Sequence, residues 1–525
     1  MLKTNLEKII NDSLGELSIK NCRFSASQTE DKKNGDYSTN AALVCGKRAG
    51  LNSLGLAGKI KELIERREEK IIEKIEIATP GFLNFFISPE ALSDEAITLN
   101  DSIDKPSKIL KNERVNLEFI SANPTGELHI GHGRGAFYGD ILGNILSYAG
   151  AEVTREYFIN DSKESNQIKE LGKTAQGLGE QYKTEFINEL IKKENFSDKS
   201  AEDAGFLLAE KIQGHNKNFL KNKVGIFFDN WYSEDEKLRD SGLNQKTLDE
   251  LAGKGLVYEK DGAVWLNTSL HGDDEDRVVV RSDGSKTYFL SDIAYHADKW
   301  KRGFNKVIDV WGADHHGHVK RIMAVKKMLG WEGELLIFVT QLVSLKEGGE
   351  LKKMSKRLGN VVLLEGLIDE FGLDVVRWFF AEKSINTHME FDAALARERS
   401  AKNPVFYVQY AHARINSIIE KAKDCVPSEH DSLTRLIALE PSAKSLARAI
   451  ALFPETIEEI SKNYQVHKLC SYAYHLAEEF SGFYRDVKVI EENKYHPAAL
   501  QIASIAQKTL AKSLGLLGIS APEKM

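Results

Sequence analysis

The sequence predicts an α/β protein built around a parallel, doubly wound sheet, with an α+β module before that sheet and an all-helical bundle after it. Three observations carry this. Between residues 112 and 395, short β-branched or aromatic segments alternate with helical stretches, the pattern of strands joined by helical crossovers. Residues 1–100 mix helical and strand-like segments without that regular alternation, and after about Asn403 helical periodicity runs to the end. At 525 residues the chain is too long for one ordinary core, so several domains are expected.

The first module closes on Lys74-Ile75-Glu76-Ile77-Ala78 and Gly81-Phe82-Leu83-Asn84-Phe85-Phe86-Ile87, an apolar strand pair split by Pro80-Gly81. The polar stretch from Asn100 to Asn112, interrupted by Pro106, reads as a linker. Val115 to Ile120 is then a short strand, Asn123-Pro124-Thr125-Gly126 a turn, and Gly133 to Tyr148 a helix with small residues on one side. Segments at 263–266, 277–281, 306–311 and 335–339 are read as further strands of the same sheet. Residues 163–255 are rich in Lys and Glu and read as a peripheral helical insertion. Pro441 and Pro454 break the last domain, 396–525, into separate helices.

Composition narrows the function classes. Charged residues at 28% and hydrophobic ones at 42% suit globular packing. No apolar run approaches the ~18 residues that cross a membrane, and charges interrupt the first ten residues, unlike a secretory signal. A cytoplasmic location with no membrane partner is expected. A net charge of −7 argues against a general nucleic-acid coat, while leaving room for a local track that holds one folded RNA. Cys22, Cys45, Cys425 and Cys470 are scattered without a C-x-x-C pair, which predicts buried thiols rather than a disulfide framework or a zinc site.

Chemistry is concentrated in two places. His129-Ile130-Gly131-His132 follows a strand and opens a helix, where free N–H groups and the helix dipole favour phosphate. Far downstream, Lys353-Met354-Ser355-Lys356 stands among Gly348, Gly349 and Gly359, on a loop able to close over a triphosphate. An isolated basic turn is ordinarily just solvated, and a lone H-x-G-H recurs by accident. The two in this order, a domain's length apart, read as an enzyme that activates a substrate with ATP. Asp314, His315, His316 and His318 have the look of a metal site. No further Cys or His cluster completes a coordination shell, and the block follows a strand where doubly wound sheets place ligand loops, so no protein-bound metal is expected.

The string Glu118-Phe119-Ile120-Ser121-Ala122-Asn123-Pro124-Thr125-Gly126-Glu127-Leu128-His129-Ile130-Gly131-His132-Gly133-Arg134-Gly135-Ala136 closely resembles the first signature of arginyl-tRNA synthetases, a class I aminoacyl-tRNA synthetase family. Arg155 to Asp161, Arg277 to Asp298, Trp311 to His318, Lys353 to Asn360 and Asn403 to Arg414 look like further blocks in family order. Glu127 stands where many bacterial members have proline, and Arg357 where the generic class I motif ends in serine. Neither departure removes a charged group the chemistry needs.

The resemblance implies a class I Rossmann-type catalytic domain over 112–395, an N-terminal tRNA-contacting domain over 1–100 and a helical anticodon-binding domain over 396–525. It implies ATP-dependent ligation of L-arginine to tRNA(Arg) through an arginyl-adenylate, with Mg2+ on the triphosphate, by a protein expected to be a monomer. His129 and His132 would donate beside the α-phosphate, and Lys353 and Lys356 would meet the β- and γ-phosphates. Gly131 would admit the adenine, with Gly133, Asp314, His315, His318, Met354 and Ser355 also around ATP. Arginine calls for carboxylates, which pair with a guanidinium fork. Asp292 would take that fork, Glu118 would add a second negative charge, Tyr288 a hydroxyl and a flat wall, and Ser121 and Asn123 would hold the α-amino and carboxylate ends. Tyr407, Tyr410, Ala411 and Arg414 share a helical face by spacing, and the family places anticodon contacts here, so Tyr407, Gln409, Tyr410 and Arg414 are the expected tRNA contacts. The alternatives are a class I synthetase of other specificity, a nucleotidyltransferase of the same superfamily acting on a small molecule, and a non-catalytic RNA-binding relative.

Overall fold

The computed structural model describes the chain apart from Glu30, Gly349, residues 353–361, Glu429 and His430. The N-terminal module comprises α1 (Leu2–Glu16), β1 (Ala26–Gln28), β2 (Tyr37–Thr39), α2 (Ala41–Ala49), α3 (Ser53–Arg66), β3 (Ile72–Ala78), β4 (Phe82–Ile87) and α4 (Pro89–Ser102). Its antiparallel sheet has the order β1-β2-β4-β3. The helices cover that sheet with Leu6, Ile10, Leu56, Ile60 and Ile64, all buried. Cys22 and Cys45 form a disulfide, which corrects the expectation of four thiols. Residues 23 positions apart carry no motif spacing, and only the packing of the loop after α1 against α2 brings their Cα atoms to 5.7 Å.

The central region runs through β5 (Arg114–Phe119), α5 (Ile130–Tyr148), β6 (Glu152–Ile159), α6 (Asn166–Ala175), α7 (Glu185–Lys192), α8 (Ala201–Phe219), β7 (Asn230–Ser233) and α9 (Leu243–Gly253). It continues with β8 (Val257–Lys260), β9 (Ala263–Leu266), β10 (Arg277–Val280), α10 (Tyr288–Lys301), β11 (Lys306–Trp311), α11 (Val319–Leu329) and β12 (Glu334–Val339). Then follow β13 (Val343–Glu347), β14 (Glu350–Lys352), α12 (Leu364–Phe371), α13 (Leu373–Ala381), β15 (Met389–Asp392) and α14 (Ala393–Arg397).

The central sheet is β12-β11-β5-β6-β7 and parallel throughout. Two expectations need correcting. Strands at 263–266 and 277–281 do not join it; β8, β9 and β10 form their own antiparallel sheet, because short connections suit hairpins whereas a parallel neighbour needs a long crossover. The stretch 163–255 is not wholly a helical insertion, since β7 returns to pair with β6 at the sheet's edge. Within the insertion, α6 and α8 cross at Gly172 and Gly205. A Cβ on Gly172 would lie 1.7 Å from the Ala201 carbonyl oxygen, and one on Gly205 would lie 1.9 Å from that of Ile168.

The last domain contains α15 (Pro404–Ala422), β16 (Val426–Pro427), α16 (Leu433–Leu439), α17 (Pro441–Ala451), α18 (Phe453–Asn463), α19 (His467–Asp486), β17 (Ile490–Glu491), β18 (Lys494–Tyr495) and α20 (Pro497–Leu516). Proline at the first turn of α15, α17, α18 and α20 starts these helices where its missing N–H is harmless. Both termini pack together: Arg448 pairs with Asp36, and Tyr37 and the Lys3 amide donate to Glu455. Buried Arg377 on α13 donates to Asp140 on α5 (2.8 Å) and to the carbonyls of Val224 and Leu517, tying the central region to the helical domain. Among the described residues no helix is long and apolar enough to cross a membrane.

Candidate active site

At its C-terminal end β5 leaves the sheet abruptly. Ile120 and Ser121 take φ values of +70° and +41°, a conformation costly for side chains with a Cβ. It is held by cross-links: the Ala122 amide donates to Tyr157 Oη (3.0 Å), Asn160 Nδ2 to the Ser121 carbonyl (3.2 Å), and the Phe158 amide to Ser121 Oγ (3.1 Å). Ser121 Oγ itself donates to Glu118 Oε1 (2.8 Å). Ser121, expected beside the amino acid, thus uses its hydroxyl to brace the turn. Asn123, by contrast, is exposed.

The turn delivers His129 to the start of α5. His129 Nδ1 accepts from the Gly131 amide and His132 Nδ1 from the His129 amide, both at 3.1 Å, so the histidines form a reciprocal cap. A Cβ at Gly131 would come within 2.9 Å of the His129 ring, so glycine here makes room for that imidazole. Gly133 faces Leu364 and Phe380 in the same way, its Cβ position 3.0 Å from Leu364. Leu363 bridges His129 in antiparallel fashion, with the Ile130 amide donating to the Val362 carbonyl and the Leu364 amide to Leu128, each at 2.9 Å. Lys353, Met354, Ser355 and Lys356 lie outside the described residues, as do Gly349 and Gly359. The described flanks are the β13–β14 hairpin and the Val362–Leu364 segment against His129.

Across the sheet edge, Thr287 caps α10. Tyr288 and Asp292 lie four residues apart on one face of it, Tyr288 being 47% exposed. The Asp292 side chain is 37% exposed, and its Oδ2 is 4.0 Å from His318 Nδ1. Burial pushes its carboxyl up to about 7; Glu234 and Glu118 push the same way, while His296 and Arg321 oppose them. Among the described residues no lysine or arginine forms an ion pair with it. Burial and then Arg321, His315 and Arg277 lower the His318 imidazole below its usual range.

Glu118 is different. Its Oε2 accepts from Lys299 Nζ at 2.5 Å, and Lys299, fully buried, also reaches Asp309 at 2.7 Å. The expected second free charge is thus already neutralised inside the protein. The His296 imidazole spans the Asp292 carbonyl oxygen (Nδ1, 2.7 Å) and the Asp309 carboxylate (Nε2, 3.0 Å), joining this ladder to Asp292. Sequence reading missed Lys299, Asp309 and His296 as positioning groups. The available signal was a charge inside an apolar pattern: Asp309 interrupts Val307-Ile308 and Val310-Trp311, and Lys299 precedes Trp300 on the buried side of α10.

The Asp314–His318 turn follows β11 at the same sheet edge, with Asp314 86% exposed and the His315 and His318 rings 5.7 Å apart. In the helical domain, Arg414 lies over the Tyr484 ring (4.8 Å) and donates to the hydroxyls of Tyr410 and Tyr484, while Tyr407 packs on Tyr474. Ala411 faces the core. Gln409 does too, its amide donating to Asp374 (2.8 Å) and Ser520 (3.0 Å), so it is removed from the RNA-facing set.

A parallel sheet whose C-terminal edge joins a histidine-capped helix to the partly exposed carboxylate of Asp292, carried with a separate helical domain, is the architecture of a class I aminoacyl-tRNA synthetase. Three family models match in series: the arginyl-tRNA synthetase N-terminal domain over residues 2–87, the class I (R) catalytic domain over 184–420 and the DALR anticodon-binding domain over 408–525. His129 and His132 precede the second range. The chain is 40% identical to an arginine–tRNA ligase of Desulforamulus reducens, over 94% of this chain and 92% of that protein, and 39% identical to one of Bacillus subtilis, over 94% and 93%. The solved arginyl-tRNA synthetase of Thermus thermophilus, 22% identical, shares the fold with a TM-score of 0.80 over the full length of both chains. The chain belongs to the arginyl-tRNA synthetase family.

Proposed function

We infer that this chain joins L-arginine to tRNA(Arg) at the expense of ATP, through an arginyl-adenylate, releasing pyrophosphate and then AMP. The observation that carries the amino-acid assignment is Asp292: a partly exposed carboxylate whose pKa is raised by its surroundings and which lacks a lysine or arginine ion pair among the described residues. A guanidinium reaching Asp292 supplies the missing charge with a bidentate fork, and Tyr288 lies one helical turn away on the same face. Asn123 is exposed at the turn beside β5 and suits the α-amino and carboxylate end.

In the first step the arginine carboxylate oxygen bonds to the α-phosphorus and the bond to the pyrophosphate oxygen breaks. Because Nδ1 of His129 and His132 accepts backbone N–H groups, the neutral rings carry their protons on Nε2, and those N–H groups serve as donors to the charge that develops. Lys353 and Lys356 would hold the β- and γ-phosphates, Met354, Ser355, Asp314, His315 and His318 would border the nucleotide, and Mg2+ would arrive on the triphosphate. In the second step a ribose hydroxyl of the terminal adenosine attacks the arginyl carbonyl and AMP leaves. We assign residues 1–100 to the outer corner of the tRNA, 112–395 to catalysis and 396–525 to the anticodon, with Tyr407, Tyr410 and Arg414 as contacts.

ATP–pyrophosphate exchange with each of the twenty amino acids, with and without bulk tRNA, tests this reading. Exchange with arginine alone, dependent on tRNA, is the expected result; folded protein that exchanges with no amino acid would redirect the search to small-molecule nucleotidyl acceptors.

A further inference from the structure

Glu127, His215 and Glu365 come from three separate parts of the chain, yet one metal-ligating atom of each lies within 4.8 Å of the others. Glu127 stands two residues before His129, His215 lies on α8 of the insertion, and Glu365 is the second residue of α12, two past the Leu363 bridge to His129. All three are half-buried, and no hydrogen bond joins any two of them. Among the described residues this is the one group of His, Cys, Asp and Glu whose ligand atoms converge in this way. The Asp314–His318 turn does not.

The surroundings suit a cation. Lys223 occupies only Oε1 of Glu365, at 2.8 Å. The Phe186 ring packs 4.6 Å from His215 and limits its rotation. Two carboxylate oxygens with one imidazole nitrogen form the mixed set favoured by first-row divalent ions, whereas Ca2+ and Mg2+ prefer oxygen alone. Coordination needs metal–ligand distances of roughly 2.0–2.2 Å, so the three atoms, now within 4.8 Å of one another, would draw closer on binding.

We propose that Glu127, His215 and Glu365 bind a first-row divalent cation of the Zn2+ or Co2+ type, which ties insertion helix α8 to the paired segments around His129.

The test uses the full-length protein stripped with a chelator, without nucleotide, titrated with Co2+ and followed by visible absorption, with Zn2+ as competitor. Glu127→Gln and His215→Ala change half-exposed side chains, and circular dichroism checks that both fold. Expected is one Co2+ per chain, displaced by Zn2+, with affinity at least about tenfold weaker in each variant and a Zn2+-induced rise in melting temperature seen only in the wild type. Absence of Co2+ binding to the wild type would overturn the proposal. So would binding that survives both substitutions but disappears in His318→Ala, which would move the ion to the Asp314–His318 turn.

Discussion

The imidazoles of His129 and His132 stack with ring centroids 3.7 Å apart while each turns its Nδ1 back to a backbone N–H at the start of α5. The helix cap therefore fixes ring orientation and tautomer together before substrate arrives. Preorganisation of this kind avoids reorientation when charge develops.

Substituting His132→Ala removes one ring donor and half of the cap. Pyrophosphate exchange should fall by about 10²–10³-fold, the usual effect of deleting one preorganised donor, with a stability loss of only about 1 kcal/mol from the cap. A fall of less than tenfold in a folded variant would remove His132 from the transition state.

Asp292 gives a pH prediction. Its carboxyl is raised to about 7 in the folded protein, from 3.8, so its contribution to folding is fully present below pH 3.8 and is lost as pH rises through 7. Ligand-free enzyme should lose stability over that window, and Asp292→Asn should flatten the slope. Arginine binding requires the ionised form, so affinity should climb by up to about tenfold per unit toward pH 7 and level off above it. Calorimetry in buffers of different ionisation enthalpy should register proton release near pH 6; no release would mean that the guanidinium pairs elsewhere.

Lys299 holds Glu118 and Asp309 in the interior. Replacing it with methionine keeps most of the volume but leaves two buried carboxylates without their cation, and breaking a buried pair in this way costs about 3–5 kcal/mol. Denaturant unfolding of Lys299→Met should show a loss of that size, whereas a change below 1 kcal/mol would mean that the ladder is solvated.

These residues also mark how far the sequence could be read. The parallel sheet, the helix opening at His129 and the helical final domain follow from local periodicity and motif spacing, which are properties of contiguous residues. The hairpin sheet of β8, β9 and β10, the return of β7 to the sheet edge and the Cys22–Cys45 pairing depend on which segments meet in space. The same limit applies within the site. Glu118 and Asp292 look alike as acidic positions, but Lys299 buried beneath one of them decides that only the other remains uncompensated.

Position along α15 separates Arg414 from Gln409 in the same manner, and their substitutions should behave oppositely. Arg414 is exposed and held between Tyr410 and Tyr484, a flat cationic surface suited to phosphates and unstacked bases. Arg414→Ala should raise the KM for tRNA by roughly tenfold with kcat nearly unchanged, and the slope of log affinity against log salt should shrink by about one, the mark of a lost phosphate contact. Gln409 donates inward to Asp374 and Ser520. Gln409→Ala should leave the KM for tRNA where it is and lower stability by about 1–3 kcal/mol, because the buried acceptors lose their partner. If Arg414→Ala left both KM and salt slope intact, the anticodon would have to engage another face of the helical domain.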